Sequence, residues 1–459
     1  MLANILRTTV LSAAALLALW LAVGPLPQPM GASAGVVLLT LVLWATGALP
    51  PFVTGLIFFA AVLIPGLARP DLIFAGFGSA AVWLIVSGFV IGAAIRRTGL
   101  GARLAAALAP LAAGSYARLV TVMTITAMAL GFVMPSSVGR AVVLVPVGMA
   151  LADRLGLVAG TKGRAGLAVA LALACNMPSF AILPSNIPNM ILAGAAETQY
   201  GVGFSYMSYL VLHYPLLGVA KSAVAVLLVI WLFPDRARET AGAPASSPDA
   251  VAGTGAEARV AVILGLTLLL WMTDAWHGVN PAWIGIASAV LLLLPGIGAV
   301  PAKEFNAAVD FGMIVFVAAA LGLGALVNAS GIGAAVGGAV LAVLPLEAGQ
   351  SFVNFLSLSL LSAVTGLVTT IPGVPAVLTP MAQDMVQTTG LSLQAVLMTQ
   401  VVGFSTVVFP YQVGPLILAM QLSGERLGHL VRVTLPLTAV TLVLLLPLDW
   451  LWWRLLGWL

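Results

Sequence analysis

Apolar residues fill this chain in long blocks, each near the ~20 residues that an α-helix needs to cross the hydrocarbon core of a bilayer, with short polar or Gly/Pro breaks between them. The first block covers residues 9–23, and others follow at 33–49, 51–68 and 79–96. A longer apolar region, 116–156, is interrupted at Met134-Pro135-Ser136-Ser137. Blocks 165–196 (broken in the middle), 208–232, 259–275, 281–297 and 309–328 come next. The pattern then recurs, with 352–390 interrupted at Thr369-Thr370-Ile371-Pro372-Gly373, a broken span at 391–420 and a last span at 433–452. Segments of alternating polarity, the mark of a membrane β-barrel, are absent. The pattern predicts an all-α polytopic membrane protein.

Order along the chain adds a duplication. Leu43-Trp44 matches Leu270-Trp271, Ile64-Pro65-Gly66 matches Leu294-Pro295-Gly296, and Thr98-Gly99-Leu100-Gly101 matches Ser330-Gly331-Ile332-Gly333. Val143-Leu144-Val145-Pro146 matches Val377-Leu378-Thr379-Pro380. Ser179-Phe180-Ala181-Ile182-Leu183-Pro184, continuing to Met190-Ile191-Leu192-Ala193, matches Ser405-Thr406-Val407-Val408-Phe409-Pro410, continuing to Leu416-Ile417-Leu418-Ala419 at the same spacing. Shared order and near-constant offset argue for two related halves, the usual build of transporters. The expected organisation is an N-terminal helix (1–30), a first repeat (31–233), a cytoplasmic linker (234–258) rich in Ala, Ser, Pro and Gly, and a second repeat (259–459).

Charge then orients the chain. Only 7% of its 459 residues are charged and 61% are hydrophobic, against roughly 25% charged in soluble domains. The net charge of +4 comes from basic residues scattered singly, which argues against a nucleic-acid partner. With Arg7 inside, the positive-inside rule places Arg96, Arg97, Arg103, Arg118, Arg154, Lys162, Arg164, Arg236, Arg238, Arg259, Lys303, Arg426 and Arg432 in the cytoplasm and leaves Arg69 and Arg454 outside. Each repeat then has five spans plus a re-entrant hairpin, so the second is inverted relative to the first, with the N-terminus cytoplasmic and the C-terminus outside a bacterial-type inner membrane. Two full spans in place of each hairpin satisfy the charges equally; the loop-free tips and Arg140 beside the first one favour hairpins. Pro25, directly after Gly24, opposes cleavage of the first helix as a signal peptide.

In lipid, a broken helix survives only where protein or a water-filled cavity satisfies its freed backbone groups, so the breaks locate a site. They fall at Pro135-Ser136-Ser137, Pro184-Ser185-Asn186-Ile187-Pro188-Asn189, Thr369-Thr370-Ile371-Pro372-Gly373-Val374-Pro375 and Pro410-Tyr411-Gln412-Val413-Gly414-Pro415. Half-helix N-termini suit an anion, and unwound carbonyls suit a cation.

With these breaks the chain resembles the divalent anion:sodium symporter family of the ion transporter superfamily, over nearly all its length after the first helix. The resemblance implies a homodimer working by an elevator movement, with hairpin tips carrying Ser-Asn-Thr and broken helices carrying a Thr-Pro-Pro-Asn type motif. Here Ser136-Ser137-Val138 stands at the first tip and Thr369-Thr370-Ile371 at the second, both without the asparagine; the final Pro188-Asn189 is kept, and its counterpart at Gly414-Pro415 is not. Carried over by position, the resemblance implies that sodium, the coupling ion and the only cofactor implied, is held by Ser136, Ser185, Asn186 and Asn189 in one half and by Thr370, Gly373, Ser405 and Gln412 in the other. A small anion, a dicarboxylate or sulfate, is bound by Ser136, Ser137, Arg140, Asn186, Pro188, Thr369, Thr370 and Pro410.

Arg140 carries a charge costing at least ~2.5 kcal/mol at the bilayer centre, which calls for a partner: the anion itself, or a helix end or acidic neighbour. Lys221 is expected to snorkel or to touch the scaffold, and Asp384 to be solvated or to bind a proton or sodium. Ser179 and Ser405 either line a cavity or bond their own backbone. Cys175 is expected to pack, and His213, His277 and His429 to lie at interfaces. No His-Glu-x-x-His and no matched intramembrane Asp pair is present, so an enzyme is disfavoured. Sodium symport leads; proton coupling, a monovalent organic anion, export and a channel are the alternatives.

Overall fold

The computed structural model describes residues 2–24, 26–112, 114–236 and 255–459, which excludes most of the expected linker. Among these residues there are helices and no strand. The first half runs through α1 (Leu2–Val23), α2 (Met30–Thr46), α3 (Pro51–Leu63), the single turn α4 (Pro70–Ile73), α5 (Ala80–Thr98) and α6 (Leu100–Leu108). It continues with α7 (Tyr116–Val133), α8 (Ser137–Arg154), α9 (Lys162–Asn176), α10 (Ile187–Tyr200), α11 (Tyr206–His213) and α12 (Lys221–Leu232). The second half opens with α13 (Gly255–Met272), α14 (Asp274–His277), α15 (Pro281–Leu293), α16 (Phe305–Ala308), α17 (Phe311–Ala329) and α18 (Ile332–Leu341). It closes with α19 (Ser351–Thr369), α20 (Gly373–Leu378), α21 (Ala382–Thr389), α22 (Leu393–Phe404), α23 (Gly414–Ser423), α24 (Leu427–Val440) and α25 (Leu446–Leu455). Among the described residues, 8 helices are long and apolar enough to cross a membrane.

Proline explains most of the punctuation, because it offers no N–H and suits the first turn of a helix. Pro135, Pro188, Pro372 and Pro415 each stand where a half-helix begins after a break. Ser136 adds a cap at the first break, its hydroxyl accepting from Gly139 N at 3.1 Å. Two wide π-helical stretches, Tyr214–Ala220 and Thr441–Leu445, join α11 to α12 and α24 to α25; Pro215 lies within the first and Pro447 just after the second. Widened turns of this kind absorb the backbone bonds that proline removes. The short helices α6 and α18, at the matched Thr98–Gly101 and Ser330–Gly333 segments, are additions to the expected elements.

Burial separates a core from a rim. The segment Lys162–Ala181 is 94% buried, and its run of Ala, Gly and Leu lets neighbours approach closely. By contrast Leu16, Leu19 and Trp20 of α1 point outward, beside α2. Packing between the halves is reciprocal: α5 lies on α15 and α17 on α3, α7 touches α13 and α19 touches α2, and α8 packs on α23 as α20 does on α10. The half-helices thus pack in two pairs across the halves, α8 with α23 and α10 with α20.

Candidate functional site

Arg140 sits one turn inside α8 and is completely buried. Its Nε donates to the carbonyl of Cys175 at 2.9 Å, in the last turn of α9. Nη1 donates to Ser185 Oγ at 2.9 Å and to the carbonyl of Met134, where α7 ends. Nη2 donates to Ser137 Oγ at 3.0 Å and more weakly to the Ser185 carbonyl at 3.5 Å. A guanidinium has five N–H donors, and each has an oxygen partner here. None of those oxygens belongs to a carboxylate. Of the two partners foreseen for Arg140, the structure provides helix ends, and no N–H is left to touch an anion directly.

Around this clamp the first break closes on itself. Ser185 Oγ donates to the Gly131 carbonyl at 2.8 Å while accepting from Arg140. Ser179 Oγ donates to the Asn176 carbonyl, accepts from Asn186 Nδ2 at 2.9 Å and lies 3.3 Å from Ser137 Oγ. Asn189 turns inward, its Nδ2 donating to the carbonyls of Ser179 (3.1 Å) and Ile182 (3.0 Å), and Tyr209 Oη donates to the Phe180 carbonyl at 2.9 Å. Asn189 thus satisfies unwound backbone, with Oδ1 buried and unpartnered, as are both amide atoms of Asn176.

Beside the clamp lies a cavity of about 70 Å³ with a mostly apolar wall that includes Ile85, Phe89 and Met190, and into which Ser136 and Ser137 of the first tip, Ser185 and Asn186 of the first break, and Pro415 of the second also open. It is large enough for one carboxylate group or about two waters, taking ~30 Å³ per water. The N-termini of α8, α10 and α23 all reach it, so three positive helix ends converge on one small space. Pro184 and Pro415 line it, whereas the expected Pro188 and Pro410 are buried away from it. Thr369 and Thr370 do not line it either.

Those threonines belong to a second cluster. Ile371 N donates to the Gln412 carbonyl at 3.3 Å, tying the second tip to the second break. Gln412 Oε1 accepts from Val408 N (2.9 Å) and Phe409 N (2.8 Å), so it is not free for sodium; its Nε2 is buried without a partner. Thr369 Oγ1 donates to the Thr365 carbonyl at 2.9 Å. Thr370 has φ 69° and ψ 162°, a conformation that a β-branched residue rarely adopts, and Gly373 follows it closely enough that an added Cβ would lie 2.9 Å from Thr369 Cβ. Ser405 does not join this cluster. Its hydroxyl donates to the Val402 carbonyl at 2.9 Å and its carbonyl accepts from Lys221 Nζ at 2.8 Å. Thr434 and Thr438 of α24 take the carbonyls of Val408 (2.7 Å) and Val407 (3.3 Å).

Several expectations change. Lys221 is 2% exposed and reaches across to the other half rather than snorkelling to the interface. His213 is fully buried against Tyr209 and Trp453, with Nε2 3.3 Å from Met398 Sδ, rather than interfacial. Helices supplied by the second half cover it, which nothing near residue 213 announces. Asp384 is half-buried beside Gly337. Cys175 packs in the core as foreseen, and its carbonyl serves Arg140. No group of three or more His, Cys, Asp or Glu able to hold a metal occurs among the described residues.

A multi-pass bundle whose broken helices line a small cavity has the build of a membrane transporter. The chain belongs to the citrate transporter (CitMHS) family, whose model matches residues 41–403. A protein of Cupriavidus necator described as a membrane protein is 25% identical over 396 residues, covering 84% of this chain and 76% of that one. In fold, the chain resembles the YdaH transporter of Alcanivorax borkumensis, with a TM-score of 0.52 at 19% identity over 94% of this chain and 99% of that one. Family and fold are those of transporters and not of enzymes, as the residue pattern indicated.

Proposed function

We propose that the chain is a secondary active transporter of a small carboxylate or sulfate-type anion, coupled to sodium, and that it moves its substrate by an elevator displacement of the hairpins and broken helices. The observation that carries this is the convergence of three half-helix N-termini on the cavity at Ser136, Ser137, Ser185 and Asn186. Each contributes roughly half a positive charge, and Arg140 behind them adds a whole one through Ser137 and Ser185. The family description makes citrate the first substrate to try, with succinate and sulfate beside it.

The reciprocal packing of α8 on α23 and α20 on α10 supports two inverted halves and a moving unit made of their half-helices. Arg97 pairs with Glu304 at 2.7 Å and Arg103 with Glu257 at 2.7 Å, gathering on one side residues that the charge pattern assigns to the cytoplasm. A homodimer in the inner membrane is part of the same proposal. Uptake of labelled citrate, succinate and sulfate into proteoliposomes tests it. Concentrative uptake driven by an imposed sodium gradient is the expected result; uptake driven only by a proton gradient removes sodium and keeps transport, and no uptake of any of the three anions rejects the substrate class.

A further inference from the structure

Broken membrane helices leave carbonyls at half-helix C-termini with partial negative charge, and a mobile cation is one way to satisfy them. At the first break the carbonyls of Met134 and Cys175, ending α7 and α9, and of Ser185 in the unwound segment, with the hydroxyls of Ser137 and Ser185, surround one space, each oxygen facing a different N–H of the Arg140 guanidinium that fills it. Carbonyl and hydroxyl oxygens without a carboxylate are the donor types that a monovalent cation takes. The second half has no such device: the register that pairs Pro146 with Pro380 pairs Arg140 with Val374, a buried apolar residue.

We propose that Arg140 is a tethered cation occupying the cation position of the first half, so that this half takes up no sodium and any sodium the chain binds is bound in the second half. Ser185 and Ser137 then serve the arginine rather than an ion. Charge balance around the first tip is fixed by the covalent chain and does not vary with external sodium. The proposal rests on the transporter reading only for what bound sodium would drive; the assignment of the cation position stands on the oxygens around Arg140.

The test uses purified full chain in detergent and no anion, so that a protein that carries none of the anions named above still gives an answer. Binding of radioactive sodium to the wild type reaches at most one ion per chain; two ions per chain overturn the proposal. Arg140→Ala exposes the oxygen shell. Its thermal unfolding midpoint is expected to rise by several degrees in about 50 mM sodium, lithium or guanidinium relative to choline, beyond any rise in the wild type, because a ligand of the folded state stabilises it. An Arg140→Ala chain that responds to these cations no more than the wild type overturns the proposal. Should Arg140→Ala not accumulate, Arg140→Gln, which keeps bulk and loses charge, is read in the same way, and the sodium count on the wild type requires no variant.

Discussion

Lys221 Nζ, on α12 of the first half, donates at 2.8 Å to the carbonyl of Ser405, which ends α22 of the second. The contact joins a buried ammonium to the negative end of a half-helix, and Asp449 of α25 lies within Coulombic reach of the same ammonium. Both side chains are buried. Removing one member leaves a buried polar group without its partner, which costs about 1–3 kcal/mol. Lys221→Ala is therefore expected to lower stability by about that amount. Lys221→Ala with Asp449→Ala should recover part of the loss, a coupling that a double-mutant cycle on thermal unfolding measures. Additive losses would show that the two groups do not act as a pair.

Gly403 is the tightest crossing of α19 and α22: an added Cβ would lie 2.3 Å from the Ser359 carbonyl oxygen and 2.3 Å from Ser362 Cβ. The Ser362 hydroxyl can rotate away, whereas its Cβ and a backbone carbonyl inside a helix cannot. Gly403→Ala is expected to destabilise by about 3 kcal/mol, at the upper end for overpacking. Adding Ser362→Gly should restore only part of it, because the Ser359 carbonyl stays in place. Size-exclusion profiles and unfolding midpoints of the three chains check this.

How much could be read in advance follows from which interactions are local. Block length and scarcity of charge identify membrane helices, and prolines at 135, 188, 372 and 415 mark the restarts, because both signals act within a turn or two of themselves. The cavity residues Ser136, Ser137, Ser185 and Asn186 were legible for the same reason. Pro415 joins them from the other half, and no spacing announces that contact. The partners of Lys221 and His213 could not be read locally: Ser405 and Met398 lie 184 and 185 positions away along the chain. Arg140 was recognisable as a charge in need of a partner. That its five donors would all find neutral oxygens depends on where α7, α9 and the break end in space.

Thr370 at the second tip combines φ 69° with ψ 162°, a region essentially reserved for glycine and costing about 1–3 kcal/mol in other residues. Glycine relieves that strain but loses about 0.5–1 kcal/mol in backbone entropy on folding. The balance predicts that Thr370→Gly stabilises the chain by about 1 kcal/mol. Thr370→Val, equally branched, should leave stability close to wild type or lower. Equal midpoints for all three chains in thermal unfolding would show that the tip bears no strain.

Arg140 spends every N–H on protein oxygens, so on the proposed anion site it would act through its field. A field needs charge and not a particular fork of donors, so lysine and glutamine separate the two effects. Arg140→Lys keeps the charge but has three donors for five acceptors; with charge-assisted bonds worth about 1.5–3 kcal/mol each, stability should fall by about 3–6 kcal/mol while the uptake KM changes by less than about threefold. Arg140→Gln loses the charge as well. Removing a partly screened unit charge beside the anion is worth about 1–3 kcal/mol, so its KM should rise about ten- to a hundredfold wherever sodium is too dilute to fill the position that the guanidinium leaves. If Arg140→Lys instead raises KM as far as Arg140→Gln does, the guanidinium itself contacts the anion in another conformation of the transport cycle, and the field account fails.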